Sequence, residues 1–555
     1  MREQGSRGSG GEKGIRENDQ NPTPITNYQL PITNYQLPIT NYQLPITKPQ
    51  TLNDYQMNFI SIFYGLFLLS VLGIYWTLSE QKLRLWTILI ASLIFYASLN
   101  AQYIPLLLAL TFINFRFGLE IGKDNTPRKN YSDRRIANEE WQFYQADWNL
   151  RRRKLLWLGV GLNVVLLLGF KYLPFIINAI FHISITSQDA AFKFVAPLGI
   201  SFFTFECISY LIDVYRGAPA TGQFLKFAAY KLFFAKLISG PITRYHNLAT
   251  QINTLQLPTP DQVAEGLWLI ARGAVKKGIL ADHLGIFVDL CFGNLQRAGS
   301  TDLWLAIFAY GLQLYLDFNG YVDIARGSAL LFGLVLPENF DFPYFSTSIA
   351  DFWRRWHMTL GEWLRNYVYF PLGGSRKGLV RTCWNLMIVM LIAGIWHGSV
   401  WGFVVWGAYH GLALIVHRLT DALSDRFENL EHFWQHPIGI FSAWLLTQLM
   451  VFTSWIWFRL PNFQDSSLVF RHLLGYPADI QFAQKVYIEA LNISQSQMAG
   501  RLLLLGVLMT LAYMFKSRLK LEFNWPVKLV FVPLCFYAVW LLAPEGSLPY
   551  IYFDF

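Results

Sequence analysis

The 555-residue chain is predicted to be an all-α polytopic integral membrane protein with about a dozen membrane helices. Three observations carry this expectation. Apolar runs of spanning length recur along the sequence. Only 15% of residues are charged while 53% are hydrophobic, where soluble domains carry about 25% charged. Aromatic residues reach 17%, which suits interfacial belts as well as a core. The net charge of +9 does not point to nucleic acid, because basic residues of a membrane chain collect in its cytoplasmic loops.

Residues 1–56 are of a different kind. They are polar and repeat the heptamer Pro-Ile-Thr-Asn-Tyr-Gln-Leu from Pro24 to Leu44. A proline in every repeat rules out a long helix, so a disordered low-complexity tail is expected. Met57 directly precedes the first apolar run and is read as the start of the working protein, residues 57–555.

The apolar runs then follow in order. Phe59–Leu78, Leu85–Leu99 and Tyr103–Ile121 come first, and Leu155–Phe181 follows a charged loop. Phe194–Val214, Phe224–Ser239, Val263–Leu290 and Leu303–Leu334 make up the middle of the chain. Cys383–Val416, Ile438–Phe458, Leu502–Phe515 and Val527–Leu542 complete the set. The loop from Gly122 to Lys154 holds Lys123, Arg128, Lys129, Arg134, Arg135 and the cluster Arg151 to Lys154, which predicts a cytoplasmic location. Lys82 and Arg84 fall on the same side two spans earlier, as does the loop with Arg376, Lys377 and Arg381. Cys207, Cys291, Cys383 and Cys535 have no metal or redox spacing and are expected as free thiols.

The run Cys383–Val416 is the most informative. One helix from Cys383 to His417 would be about 50 Å long, against a hydrocarbon core of about 30 Å, and two full crossings need about 40 residues. The chain must break or tilt, and Gly394, Gly398 and Gly402 bracket the place. Broken backbone at membrane depth is tolerated where it is buried in protein or lines a cavity, so His397 is placed in the wall of a tunnel. Desolvation keeps its ring neutral, the state a general base needs to accept a hydroxyl proton, and Gly398 leaves room for a substrate. The opposing reading is a satisfied core histidine. His410 and His417, seven apart, are read as packing or interfacial residues.

The segment Asp351 to Tyr369 is too charged to span and too aromatic for a solvated loop, so an interfacial or re-entrant helix is expected. Asp351 with Arg355 and Glu362 with Arg365 are spaced to neutralise one another. Arg354 and His357 are left over. Arg354 either snorkels to headgroups or, with Arg376 and Lys377, forms a rim for an anionic donor such as a coenzyme A phosphate. Asp317 and Asp323 in the run Leu303–Leu334 are expected to hold a helix kink through Arg326. No nucleophile elbow, zinc-protease motif or dinucleotide fingerprint occurs.

Together these residues resemble the membrane-bound O-acyltransferases, and most of all the bacterial alginate O-acetyltransferase branch. The likeness lies in Tyr315-Leu-Asp-Phe-Asn-Gly-Tyr-Val-Asp323, Leu336-Pro-Glu-Asn-Phe340, Asp351-Phe-Trp-Arg-Arg-Trp-His357, the stretch Trp363–Gly374 and Trp396-His-Gly398. Pro197–Phe205, Ser239-Gly-Pro-Ile-Thr-Arg244 and the ending Pro549–Phe555 fit too. The resemblance implies a helical shell with re-entrant helices around a central tunnel. It implies His397 as the catalytic histidine and His357 as its supporting partner. It further implies a cytoplasmic acetyl-CoA or acyl-carrier thioester as donor substrate with no bound cofactor. The acceptor is then an exported polysaccharide at the bacterial inner membrane, reached directly or through a periplasmic SGNH-type acetyltransferase or esterase. D-alanyl or other acyl transfer from a carrier protein is the alternative within the family. A polysaccharide permease or flippase is the alternative outside it, and it would need no hydroxyl-activating base.

Overall fold

The computed structural model describes residues 57–123, 138–181, 196–253, 256–521, 523–546 and 548–553, with the side chains of 138–145 and 174–181 outside the description. The heptamer tail and the cluster Arg128, Lys129, Arg134 and Arg135 lie outside the described residues.

Every regular element among the described residues is helical. The first four are α1 (Ile62–Thr77), α2 (Gln81–Asn100), α3 (Ile104–Gly122) and α4 (Asn138–Phe181). The charged loop before residue 155 is thus shorter than expected, because α4 already contains Arg151 to Lys154. Arg152 turns back to donate to the carbonyls of Ile121 and Tyr215, satisfying helix ends that have no partner of their own.

The centre of the protein follows: α5 (Ile200–Tyr215), α6 (Phe224–Lys231), α7 (Tyr245–Asn253), α8 (Pro260–Ala274), α9 (Asp282–Phe292) and α10 (Ser300–Leu331). Phe224–Ser239 is not one span. Its helix stops at Lys231, and the chain coils so that Lys231 and Lys236 both reach the buried carboxylate of Glu206 on α5, at 3.0 and 2.7 Å. Two of the three lysines in this run are buried and need such a partner, and meeting it costs the helix its regularity.

Helix α10 packs against α8, α9 and α16 (Pro437–Arg459). It approaches α8 backbone to backbone. A Cβ on Gly273 would sit 2.6 Å from the Gly320 carbonyl, and one on Gly327 would sit 2.4 Å from that of Gly266. Small residues at a seven-residue interval on both helices make this approach possible. Contrary to the sequence expectation, Arg326 is not the main partner of the α10 carboxylates. Asp323 is held by Arg272 at 2.9 Å and Lys276 at 2.6 Å, with Arg326 only at 3.9 Å. Asp317 takes Lys277 at 2.6 Å and the Ile551 N–H at 3.0 Å.

The interfacial segment forms two short helices, α11 (Ile349–Arg355) and α12 (Met358–Leu364). Arg355 pairs with Asp351 as the spacing predicts, at 2.9 Å. Glu362 instead pairs with Arg244 at 3.0 Å, across to the segment before α7. Next come α13 (Leu379–His397) and α14 (Trp401–Ser424). The break falls where the glycines bracket it: α13 ends at His397 and Gly398 is extended. The arms are about 28 and 36 Å long at 1.5 Å per residue and extend past both ends of the uncharged run, so a turn between two helices takes the place of one overlong helix. The arms pack tightly, because a Cβ on Gly394 would lie 2.3 Å from the Phe403 carbonyl and one on Gly407 would lie 2.5 Å from that of Met390.

The remaining helices are α15 (Glu428–Gln435), the α16 already given, α17 (Phe463–His472), the single turn α18 (Ile480–Phe482), α19 (Gln495–Tyr513) and α20 (Trp525–Leu542). Six helical stretches among the described residues are long and apolar enough to cross a membrane: Gln81–Gly122, Ala146–Leu173, Leu379–His397, Pro437–Arg459, Gln495–Arg518 and Trp525–Leu542. Other apolar runs of the sequence form helices that are shorter or, like α10, carry buried carboxylates. No residue of α20 is fully buried: one side packs on α8, where Lys528 meets Glu265 at 2.6 Å, and the rest of its apolar surface faces outward. Cys207 and Cys291 are buried free thiols, while Cys383 and Cys535 are partly exposed and also unpaired.

Candidate active site

His397 closes α13 with a side chain only 3% exposed. Its position is fixed from α4. Lys171 donates its ammonium to the Trp396 carbonyl, and Tyr172 donates to the carbonyls of Ile395 and Gly398, the latter at 2.9 Å. These are the carbonyls that a helix C-terminus leaves without partners, and a cation there also complements the helix dipole. The ring of His397 meets the edges or faces of Trp406 and Phe458 at 5.1 and 4.9 Å between centroids.

His357 is 1% exposed and stands between α11 and α12. Its φ of 43° is left-handed, a conformation costly for a side chain with a Cβ. That turn lets the backbone reverse from one short helix into the other and drives the imidazole inward. Nδ1 lies 3.2 Å from Asn339 Oδ1. Phe318 of α10 and Phe202 of α5 flank the ring at 4.9 and 6.1 Å.

The structure brings the two histidines onto shared neighbours. The Trp396 indole lies 6.1 Å from the ring of His357 and 4.8 Å from that of His397. The Tyr552 ring lies 6.0 Å from the former and 6.1 Å from the latter. Tyr552 arrives on a segment clamped by the Ile551 N–H on Asp317 and by the Pro549 carbonyl on Lys277.

A cavity of about 270 Å³ lies beside this group. Arg244, Gln251 and Glu362 line it together with Ser209, Thr243 and Thr359. Two connections lead inward from its wall. Thr359 Oγ1 donates to Asn339 Oδ1, the oxygen that faces His357. Trp363 stacks on Phe205 at 3.8 Å, which stacks on Trp396 at 5.4 Å. Beneath the cavity, Thr243 donates its hydroxyl and its N–H to the buried Glu206.

Arg354, Arg376 and Lys377 are all exposed, on α11 and on the loop after α12, and none of them lines the cavity. The cation that does is Arg244. His410 is a packing residue, as expected: it is fully buried, bonds Ser454 Oγ at 2.9 Å and sits among Trp353, Trp406 and Trp455. Asn339, Thr359, Tyr552 and Arg244 belong to the site although sequence reasoning assigned them no role. Each lies in or beside one of the quoted motifs, and only the fold joins those motifs in space.

Comparison with known proteins bears on the family of the chain. A profile described as "MBOAT, membrane-bound O-acyltransferase family" matches residues 200–455, which include both histidines. The chain is 37% identical to the "Probable alginate O-acetylase AlgI" of Pseudomonas putida, over 75% of this chain and 80% of that protein. It is 34% identical to a peptidoglycan O-acetyltransferase of Helicobacter pylori, over 71% of this chain and 74% of that one. Likeness to a teichoic acid D-alanyltransferase of Streptococcus thermophilus is lower, 28% over 47% of this chain and 70% of that one.

Proposed function

The chain belongs to the membrane-bound O-acyltransferase family, and on that premise we propose that it moves an acetyl group from a cytoplasmic thioester to hydroxyl groups of an exported polysaccharide. The observation that carries the reading is the pair of buried histidines on shared aromatic neighbours, next to a cavity with a cationic side. O-acetylation of polysaccharide is the activity named for the relatives of higher identity, which favours acetyl over D-alanyl transfer.

The chemistry needs one proton acceptor near the meeting point of donor and acceptor. His397 takes the proton of the acceptor hydroxyl as its oxygen attacks the thioester carbonyl. The C–O bond forms, the C–S bond breaks, and the proton passes on to the departing thiolate. A buried neutral imidazole suits the first step, and the dry aromatic walls keep water from competing for the thioester. His357 supports the donor side. Acetyl-CoA is the proposed donor, with no resident cofactor. Its phosphates meet Arg244 at the exposed side of the cavity, with Arg354, Arg376 and Lys377 on the segments flanking α12. The proposed setting is the bacterial inner membrane, with a periplasmic SGNH-type acetyltransferase as the relay where transfer is not direct.

The test is acetyl transfer from labelled acetyl-CoA by purified protein. His397→Ala is expected to abolish transfer with abundance and membrane insertion near normal, and His357→Ala to leave a residue of activity. Unimpaired transfer by His397→Ala refutes the general-base role.

A further inference from the structure

We infer that Asn339 is a positioning residue that holds His357 in its Nδ1–H form and so leaves Nε2 as the atom that meets the reacting groups. This rests on the proposed role of His357 in the site.

The hydrogen bonds around Asn339 fix the assignment. Its Oδ1 lies 3.0 Å from the Thr359 backbone nitrogen, and a backbone N–H can only donate. The atom facing it is therefore the amide oxygen, and the hydrogen-bond network fixes which way the amide points. Thr359 Oγ1 accepts from the Ile242 N–H at 3.2 Å and donates its own proton to the same Oδ1 at 2.9 Å. The third group on that oxygen is His357 Nδ1, 3.2 Å away. An oxygen without a proton can bind only a protonated ring nitrogen, so the imidazole proton sits on Nδ1 and the lone pair on Nε2. Nε2 is buried with no hydrogen-bond partner among the described residues. Leaving a buried acceptor unmet costs free energy, and an unmet acceptor at a site of chemistry is one that waits for a substrate group.

Asn339 also sets where the ring stands. Its backbone carbonyl accepts from the Met358 N–H at 2.9 Å, so one residue holds the left-handed turn at His357 by main chain and side chain together. The titratable groups that face the ring are His397 from α13 and Tyr552 from the C-terminal segment. Phe202 of α5 and Phe318 of α10, which cover its other sides, supply none.

The Asn339 Nδ2 group makes no hydrogen bond among the described residues, so Asn339→Asp keeps every bond that the side chain makes while placing a carboxylate on Nδ1–H. That charge makes Nε2 more basic. An opposite charge at hydrogen-bond distance raises such a group by about one unit or more, so the acid limb of the kcat/KM profile is expected to move to higher pH by that amount. Thr359→Val is the companion variant. It removes one hydrogen bond to the same oxygen without altering the charge on Nδ1, so its acid limb should coincide with wild type whatever its rate. Coincident limbs for Asn339→Asp and wild type overturn the inference, as does an equal displacement in Thr359→Val.

Nitrogen-15 NMR of histidine-labelled wild-type protein gives an answer that does not depend on folding of Asn339→Asp. The His357 signal, identified by its loss in His357→Gln, should show a protonated Nδ1 and a bare Nε2. The opposite tautomer overturns the inference. Wild-type transfer by His357→Ala would instead remove His357 from the reaction, and the NMR spectrum would still decide what Asn339 does.

Discussion

Gly394→Ala tests whether the α13–α14 contact sets the catalytic geometry. One methyl at this position would sit 2.3 Å from the Phe403 carbonyl oxygen and 3.2 Å from the Gly407 Cα. Both are backbone atoms of the facing helix, so no side chain can swing aside. The oxygen must retreat beyond about 3 Å, which spreads the hairpin by more than half an ångström three residues before His397. Overpacking of this kind costs about 1–3 kcal/mol of stability. Its effect on rate is larger, because displacing a catalytic group by about 1 Å can cost on the order of 100-fold. The expected outcome is acetyl transfer roughly 100-fold slower with insertion and detergent-solubilised yield near wild type. Gly506→Ala on α19, where nothing lies within 4 Å, is the control and should be neutral. Transfer by Gly394→Ala within twofold of that control would refute the claim that this contact holds His397 in place.

Charge reversal at Arg244, Arg354 or Arg376 should weaken the apparent affinity for acetyl-CoA in a donor titration, most at Arg244, the only one of the three that lines the cavity. Unchanged affinity in all three would dismiss the cationic rim. Glu206→Gln leaves Lys231 and Lys236 buried beside a neutral amide and should cost roughly 3–5 kcal/mol, read as a lower unfolding midpoint in detergent. An unaltered midpoint would mean that the two lysines find other partners. A chain that starts at Met57 should insert and transfer acetyl as well as the full sequence, because every site residue lies downstream. Loss of transfer on that truncation would show the heptamer segment to be functional.

Much of the fold was legible because lipid imposes long apolar helices and leaves little room for alternatives. The break at His397 could be located from glycine spacing and helix length alone. The limits of sequence reasoning fall where partners are far apart in the chain. Helical spacing pairs Glu362 with Arg365, whereas it bonds Arg244 from more than one hundred residues earlier. The largely apolar composition of Phe224–Ser239 predicts a span, and only the position of Glu206 on α5 explains why it coils. The same holds for the site. His397 stood out by its depth, but Asn339 and Tyr552 carry no local signal of their roles, since what they touch is set by the packing of α10, α12 and α13.

The ion pairs of α10 bear on how the chain enters the membrane. Asp317 and Asp323 find their cations on Lys277, Lys276 and Arg272, all in the stretch that leads from α8 into α9. A carboxylate at the bilayer centre costs about 2.5–3.5 kcal/mol on insertion scales, so α10 alone is a poor substrate for the insertion machinery. The cations that neutralise it have already been synthesised when α10 emerges. Residues 260–331 are therefore expected to pass into lipid as one preassembled unit. Reporter-tagged chains ending after residue 331 should then insert α10 efficiently with Lys276 and Lys277 present and poorly when both are replaced by methionine. The backbone contact at Gly266, Gly273, Gly320 and Gly327 would form in that same event, so these glycines and charges bear on biogenesis as well as on final stability.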